Sequence, residues 1–239
     1  CSDVTSGLLL AITRFKHLRP SILTLPIDEE QLLEIGYHPD TLHLSVTLIP
    51  AGHCPGSVMF LIKGDQGNVL YTGDFRFAVG ETVRLNSLFS RTKSYELRSP
   101  IKSVYVDTTF CVPEALHIPS RKIRKQHIIT TISDWFTREG SPIAHIFSRS
   151  SYGYEYLMTE IARHFRCKVH VSSEQYEKYE FLPSVRNVLT TDPRATNINF
   201  CPADVISSVE EKLEMCTRRI NFHKSQLPCI QDFHHGKPE

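Results

Sequence analysis

The 239-residue sequence has no long apolar run, no Cys-x-x-Cys pair and a formal net charge close to zero. Its longest apolar run, Gly-Leu-Leu-Leu-Ala-Ile at 7–12, is too short to span a bilayer and lacks the flanks of a secretory signal. Its seven cysteines include no Cys-x-x-Cys pair, which favours a reducing compartment over a disulfide framework. The formal net charge of +1 excludes bulk electrostatics as a means of holding nucleic acid, so such contacts must come from local patches.

The first hundred residues carry the period-two pattern of half-buried strands. Leu42, Leu44, Val46 and Leu48 alternate with polar residues, and Gly-Asp-Gln-Gly-Asn at 64–68 is typical of a hairpin turn. We predict a short helix over 5–16 and strands at 22–25, 42–48, 58–62, 69–71 and 103–106. This region is therefore predicted to be mainly β, with antiparallel hairpins.

After Pro119 the pattern changes to alternating helices and strands. Ser120 is a helix cap for a segment ending near Phe136, and further helices and strands are predicted at 143–147, 154–165, 168–171 and 188–189. A weaker helical pattern covers 207–220. Strands joined by helices imply a parallel sheet with right-handed crossovers. The chain is thus predicted to be α/β, with a boundary near 115–120.

Three candidate metal ligands follow three of the predicted strands. His53 lies in Pro-Ala-Gly-His-Cys-Pro-Gly-Ser, Asp74 in Tyr-Thr-Gly-Asp-Phe-Arg and Asp107 in Val-Tyr-Val-Asp-Thr-Thr-Phe. Imidazole together with carboxylate suits zinc or manganese, and a pair of such ions can activate water against a phosphoryl group. Taken singly, each residue is more often part of an ordinary turn or helix cap than a metal ligand. Their order and their strand-end positions favour the metal site.

Longer motifs surround these residues. The stretch 49–76 resembles the metallo-β-lactamase-fold DNA nucleases of the β-CASP group, and shorter motifs match that group in the same order at 105–111, 118–121, 151–157, 169–171, 189–192 and 227–229. The resemblance implies part of a metallo-β-lactamase αββα domain over 1–117. A Rossmann-like β-CASP region, incomplete at its C-terminus, would follow over 118–239.

The resemblance also implies roles for the three ligands. His53 would bind the first metal, Asp74 would bridge both metals, and Asp107 would bind the second. The ions implied are one or two Zn²⁺, with Mg²⁺ or Mn²⁺ as alternatives. The group's His-x-His-x-Asp-His motif is absent from this sequence. We expect that motif to lie before Cys1 in a longer protein of which this chain is an excerpt, which would leave the excerpt inactive by itself.

A second, structural zinc site is implied by His170, Cys201 and Cys229. The fourth ligand in the group is a histidine two residues before the first cysteine, where this chain has Asn199, a poor zinc ligand. His223 is a candidate replacement. Buried but inert cysteines and a hydrogen-bonded His170 are the alternative interpretation.

The implied function is metal-dependent endonuclease and 5′-exonuclease chemistry on DNA, in nuclear repair and end joining. DNA-dependent protein kinase and end-joining factors are implied partners, and no membrane is involved. Two alternatives stay open: a non-catalytic member that binds DNA or a partner, and hydrolysis of RNA or a small molecule. The basic run at 121–127 could meet phosphates and Tyr152, Tyr154 and Tyr156 could stack on bases, although a solvated helix face and core packing explain them equally.

Overall fold

The structure is a computed structural model that describes residues 1–36, 39–78, 80–90, 96–115, 118–137, 143–148, 150 and 152–202, without the side chains of Glu114, Cys201 and Pro202. The chain divides into two compact units, Cys1–Phe110 and Cys111–Glu239. Within the described residues each unit contains one β-sheet, which confirms a mixed α/β chain. The assignment of 1–117 and 118–239 to two named domains stays a prediction. Within the described residues, no helix is long and apolar enough to cross a membrane.

The first unit is built on a five-stranded sheet. Its elements are α1 (Asp3–Ala11), β1 (Glu30–Ile35), β2 (Leu42–Pro50), β3 (Val58–Gly64), β4 (Gly67–Tyr71) and β5 (Ile101–Tyr105), with 3-10 helices at Thr13–Ser21 and Thr82–Arg84. Its core contains Ile49, Ala51, Met59, Leu61, Leu70 and Leu88.

For the N-terminal segment, one prediction was confirmed with different bounds and one was wrong. The predicted helix over 5–16 begins at Asp3 and ends at Ala11, because Ile12 adopts an extended conformation and a 3-10 helix follows. The predicted strand at 22–25 is not a strand. Ile22 N donates to Arg19 O at 3.3 Å, the terminal amine of Cys1 donates to Leu23 O at 2.8 Å, and Leu25 N donates to Cys1 O at 3.0 Å. These bonds do not form a strand ladder.

The strand directions bring three strand ends to one edge of the sheet. The sheet order is β1-β2-β3-β4-β5, and its pairs are antiparallel except β4–β5, which is parallel. The hairpin between β3 and β4 is confirmed, with Gly64 opposite Gly67, and β5 is parallel to β4, a direction that the sequence pattern left open. Strand β1 was not predicted. Since β2, β4 and β5 run in the same direction, their carboxyl ends meet at the same edge.

The second unit contains a parallel sheet with order β6-β9-β7-β8, as the alternating pattern predicted. Its elements are α2 (Arg121–Phe136), β6 (Ala144–Ser148), α3 (Glu155–Phe165), β7 (Val169–His170), α4 (Ser173–Lys178), α5 (Pro183–Arg186), β8 (Leu189–Thr190) and β9 (Ile198–Pro202). Ser120 caps α2 by accepting a hydrogen bond from Ile123 N at 3.3 Å. The predicted helix over 207–220 lies outside the described residues.

One face of this parallel sheet forms the core of the second unit. Ala144 is the register partner of Ile198, Ile146 of Phe200, and Val169 of Leu189. Helices α2 and α3 contribute further buried apolar side chains, among them Ile129, Ile132, Met158 and Ile161. These register partners therefore point to one side of the sheet, and the alternate positions, which include His145, Phe147 and Asn199, face the other.

Candidate functional site

The loop after β2, which carries His53, is closed by one serine. Ser57 Oγ accepts hydrogen bonds from the backbone N–H groups of His53 and Cys54, both at 3.1 Å, and donates to Cys54 O at 2.8 Å. Ala51 N donates to Ser57 O at 3.0 Å. These bonds satisfy the loop's backbone internally and set the direction in which His53 leaves the loop.

Helix α1 supports the same loop from its N-terminus. Ser2 Oγ and Thr5 Oγ1 both donate to Gly56 O, at 2.7 and 2.8 Å. Gly56 has a φ of +78°, and a Cβ there would lie 2.7 Å from Thr5 N. Only glycine combines this left-handed backbone with so close an approach of the helix.

The loop after β4, which carries Asp74, is tied to the His53 loop. Arg76 N donates to Ala51 O at 2.9 Å. On the other side of Asp74, Thr72 N donates to Tyr105 O at 2.9 Å, which extends the parallel pairing of β4 with β5 by one residue. Gly73 then turns the chain with a φ of +52° and brings Asp74 out at the sheet edge.

Asp107 is linked to the loop that carries Asp74 by a hydrogen bond to Thr72. Asp107 N donates to Thr72 Oγ1 at 3.1 Å. Its carboxylate oxygen Oδ1 accepts from Thr109 Oγ1 at 2.6 Å and from Thr109 N at 2.9 Å. The pKa of Asp107 is lowered by the hydroxyl and then the backbone N–H of Thr109, with a smaller contribution from the charge of His53.

His53 and Asp74 are positioned to share one ion. His53 Nε2 lies 3.8 Å from Asp74 Oδ2. Two atoms that bind the same zinc ion at ordinary N and O bond lengths are no more than about 4.3 Å apart, so the pair fits a shared metal. Both side chains are open to solvent, being 47% and 74% exposed, so an ion and a substrate can reach them.

Among the described residues, His53, Asp74 and Asp107 do not form a complete set of metal ligands. No group of three His, Cys, Asp or Glu side chains among them is close enough to hold a metal ion. Asp107 is near enough for the charge of His53 to act on its pKa, yet it does not complete a three-ligand cluster. The assignment of all three residues as ligands therefore stays a prediction.

The second predicted metal site falls only in part within the described residues. His170 of β7 is the register partner of Asn199 of β9. The backbone of Cys201 lies in β9, but its side chain is not described, and Cys229 and His223 lie outside the described residues. On the other side of Asn199, strand β6 places His145, which the sequence analysis missed because it lies in a short apolar strand.

The basic helix and the tyrosines contribute more to packing than the sequence suggested. Lys125 Nζ donates to Glu160 Oε2 at 2.8 Å and lies 5.9 Å from the centre of the Tyr156 ring. Tyr154 packs against Phe200 with ring centres 5.6 Å apart. Lys125 and Tyr154 therefore make internal contacts, whereas Lys122 and Arg124 of α2 are exposed.

A buried carboxylate in the second unit was also missed. Glu155 opens α3, is only 7% exposed and accepts hydrogen bonds from Tyr179 OH at 2.9 Å and from Gly153 N at 2.8 Å. Burial raises the pKa of Glu155, and it also raises the pKa of Tyr179. Nothing in the local sequence distinguishes Glu155 from a solvent-exposed helix-start glutamate.

Comparison with known proteins identifies relatives. The chain is 37% identical to Artemis of Mus musculus over 231 residues, which is 96% of this chain and 30% of that protein. It is 34% identical to the 5′ exonuclease Apollo of Rattus norvegicus over 202 residues, which is 83% of this chain and 34% of that protein. The chain thus spans about a third of the length of the curated relatives it matches.

Two further comparisons add little. No family model matches the chain. A solved structure, that of a protein of unknown function from Enterococcus faecalis V583, aligns with a TM-score of 0.47 and 14% identity, covering 84% of this chain and 48% of that one. The sequence relatives therefore carry the identification, and they confirm the recognition made from the motifs. The chain belongs to the Artemis-like family and is homologous to one part of Artemis and of Apollo.

Proposed function

We propose that the chain is part of a metal-dependent DNA nuclease with a metallo-β-lactamase αββα fold followed by a Rossmann-like β-CASP region. One observation carries this proposal: His53 and Asp74, 3.8 Å apart, lie at the carboxyl ends of two strands that run in the same direction. Asp107 lies after the neighbouring strand β5 at that edge, within electrostatic reach of His53. At this edge, side chains that follow β2, β4 and β5 could contact the same substrate.

Each residue has a defined task in this proposal. Zn²⁺, or Mg²⁺ or Mn²⁺, bound at the site would activate water and neutralise charge on the phosphoryl group. His53 and Asp74 would hold the ion, with Asp74 bridging to a second one. Asp107 would anchor the second ion, and Thr109 keeps that carboxylate ionised because its two hydrogen bonds favour the charged form.

The relatives support a proposal for the substrate and the biological setting. Apollo is a 5′ exonuclease by name. We propose 5′-exonuclease and endonuclease activity on DNA for the complete protein, in the nucleus, during double-strand break repair. DNA-dependent protein kinase and end-joining factors are the proposed protein partners. Lys122 and Arg124 of α2 are the proposed phosphate contacts.

The decisive experiment compares two aspartates of the same sheet in the complete protein. Asp74→Ala is expected to reduce DNA cleavage by at least about a thousandfold, while thermal stability changes little because Asp74 is 74% exposed. The control is Asp65→Ala, which changes an exposed aspartate in the β3–β4 turn and is expected to leave cleavage intact. Full cleavage by Asp74→Ala would refute the bridging role.

A second candidate function is binding without catalysis. It is favoured by the described surroundings of His53 and Asp74, which supply two side chains close enough to share an ion but not a third. Isothermal titration of the complete protein with Zn²⁺ and Mn²⁺ separates the two functions. Binding of either ion that depends on His53 favours the nuclease, whereas DNA binding without any metal binding favours the alternative.

A further inference from the structure

Thr72 lies between the two segments that carry Asp74 and Asp107. It follows β4 directly and is only 5% exposed, which places it in the interior of the first unit. Its Oγ1 donates a hydrogen bond to Gly73 O at 2.8 Å and accepts one from Asp107 N at 3.1 Å. One hydroxyl group therefore contacts both segments at the point where each leaves the sheet.

This hydroxyl takes the place of a backbone group at the end of the β4–β5 ladder. Thr72 N donates to Tyr105 O at 2.9 Å, which continues the parallel pairing. In a regular parallel ladder the next bond would join the N–H of Asp107 to the carbonyl oxygen of Thr72. Here the acceptor is the side-chain Oγ1 of Thr72. The side chain thus continues the pairing where Gly73, with a φ of +52°, turns the backbone.

The segment that carries Asp107 has no buried side chain of its own. From Lys102 to Phe110 every side chain is exposed except that of Asp107, which is half-buried. Burial of apolar side chains therefore does not fix this segment, although it is the dominant force that holds most strands in place. The hydrogen bonds to buried Thr72 supply the anchor that packing does not.

We propose that Thr72 is a positioning residue whose hydroxyl sets where Asp107 lies relative to Asp74. The role rests on the nuclease function proposed above, in which these two aspartates hold the ions. Threonine suits it because the branched Cβ restricts χ1, so the hydroxyl donates and accepts in defined directions. Thr72→Val keeps the shape of the side chain and loses both bonds. Asp107 then gains freedom, and a displacement of about 1 Å from productive geometry can cost about a hundredfold in rate.

Cleavage kinetics in a matched set of variants of the complete protein test this role. Thr72→Val is expected to lower kcat for DNA cleavage by about 10- to 100-fold while KM changes by less than about twofold, because geometry rather than substrate binding is lost. Thr72→Ser keeps the hydroxyl and is expected to retain most of kcat. Thr47→Val makes the same change at a buried threonine of β2 and is expected to leave kcat unchanged.

Amide hydrogen exchange gives a second measurement, which does not depend on cleavage. In the metal-free protein, exchange at Asp107 N should be at least about fivefold faster in Thr72→Val than in the parent, and Thr72→Ser should show the parent rate. An unchanged exchange rate or an unchanged kcat in Thr72→Val would overturn the proposal. If Thr72→Val does not fold, loss of cleavage in a folded Thr72→Ser would overturn it equally, because that variant keeps the hydroxyl.

The Asp74→Ala variant separates this role from the function on which it rests. If Asp74→Ala abolishes cleavage while Thr72→Val cleaves like the parent, the nuclease function stands and only the role of Thr72 is wrong. If Asp74→Ala cleaves like the parent, the proposed function fails and the positioning role fails with it.

Discussion

The two units place their edge strands in opposite environments. Strand β5 of the first unit pairs in parallel with β4, yet its residues from Lys102 to Tyr105 are all exposed. Strand β6 of the second unit also lies at a sheet edge and pairs in parallel, yet only Phe147 among its five residues is not buried. Parallel strands are usually buried on both faces, so β6 follows the rule and β5 departs from it.

The two units also differ in whether their polar side chains are exposed or buried. The first unit presents His53 and Asp74 to solvent at strand ends, where a substrate can reach them. The second unit buries its distinctive polar groups, Glu155 and the His145–Asn199 pair, inside the fold. We infer that changes at the site of the first unit alter reactivity with little effect on folding, whereas changes in the second unit alter folding first.

The largest expected effect comes from a matched pair of phenylalanines. Phe200 of β9 is 2% exposed and Phe110 is 66% exposed. Phe200→Ala is expected to lower the free energy of unfolding by about 3–5 kcal/mol through lost burial and a cavity. Phe110→Ala should change it by less than about 0.5 kcal/mol.

The fluorescence of the only tryptophan in the sequence reports the unfolding of the second unit. Trp135 lies in α2, packs against the core of that unit and donates through Nε1 to Ile143 O at 3.1 Å. Urea unfolding followed by its fluorescence should show the midpoint shift in Phe200→Ala. Equal destabilisation by both alanine variants would remove the contrast drawn between the units.

The buried carboxylate predicts a smaller, pH-dependent effect. Tyr179→Phe removes the hydroxyl that donates to Glu155 at 2.9 Å, and at pH 7 it should lower the free energy of unfolding by about 1.5–3 kcal/mol. Burial raises the pKa of Glu155 above its usual value of 4.5. Above that raised pKa the buried carboxylate is ionised, which lowers the free energy of unfolding. Lowering the pH towards 4.5 protonates Glu155, and the loss in Tyr179→Phe should shrink.

A neighbouring tyrosine provides the control for this experiment. Tyr176 also packs against the core of the second unit, and Arg186 lies 4.6 Å from its ring centre. Tyr176→Phe keeps the ring and should change the free energy of unfolding by less than about 0.5 kcal/mol at any pH. A loss in Tyr179→Phe that does not vary between pH 7 and pH 5 would show that Glu155 does not titrate there.

The smallest expected effect is local to the exposed site. Thr109→Val removes the hydroxyl that donates to Asp107 at 2.6 Å but leaves the backbone bond in place. The pKa of Asp107 should therefore rise part of the way to its usual value, with no change in melting temperature, as a carboxyl ¹³C NMR titration would show. Thr108→Val serves as the control, and an unchanged Asp107 pKa in Thr109→Val would contradict the assigned cause.

Local patterns predicted much of the fold. The alternation over 42–48 identified β2, and Ser120 correctly marked the start of α2. Strand β1 was missed because Glu30 and Glu34 interrupt its apolar residues, and it is recognisable only by its pairing with β2. The direction of β5 was left open, because parallel pairing with β4 depends on a connection of 29 residues rather than on a turn signal.

The candidate site shows the same division between local and long-range information. His53, Asp74 and Asp107 were predicted from strand ends and glycine turns, which are short-range features. Their approach depends on hydrogen bonds such as Arg76 N to Ala51 O and Asp107 N to Thr72 Oγ1, which join loops distant in sequence. No local pattern encodes these pairings.

The amino-acid sequence alone determined which residues could serve as ligands, where most helices and strands begin, and to which family the chain belongs. These features depend on residue type and on patterns that extend over only a few neighbouring positions. Tertiary structure decided that β2, β4 and β5 point the same way and that His145 lies beside Asn199. It also decided that Glu155 is buried while Asp74 is exposed. The physical reason is that strand direction, register and burial depend on contacts between segments far apart in the chain.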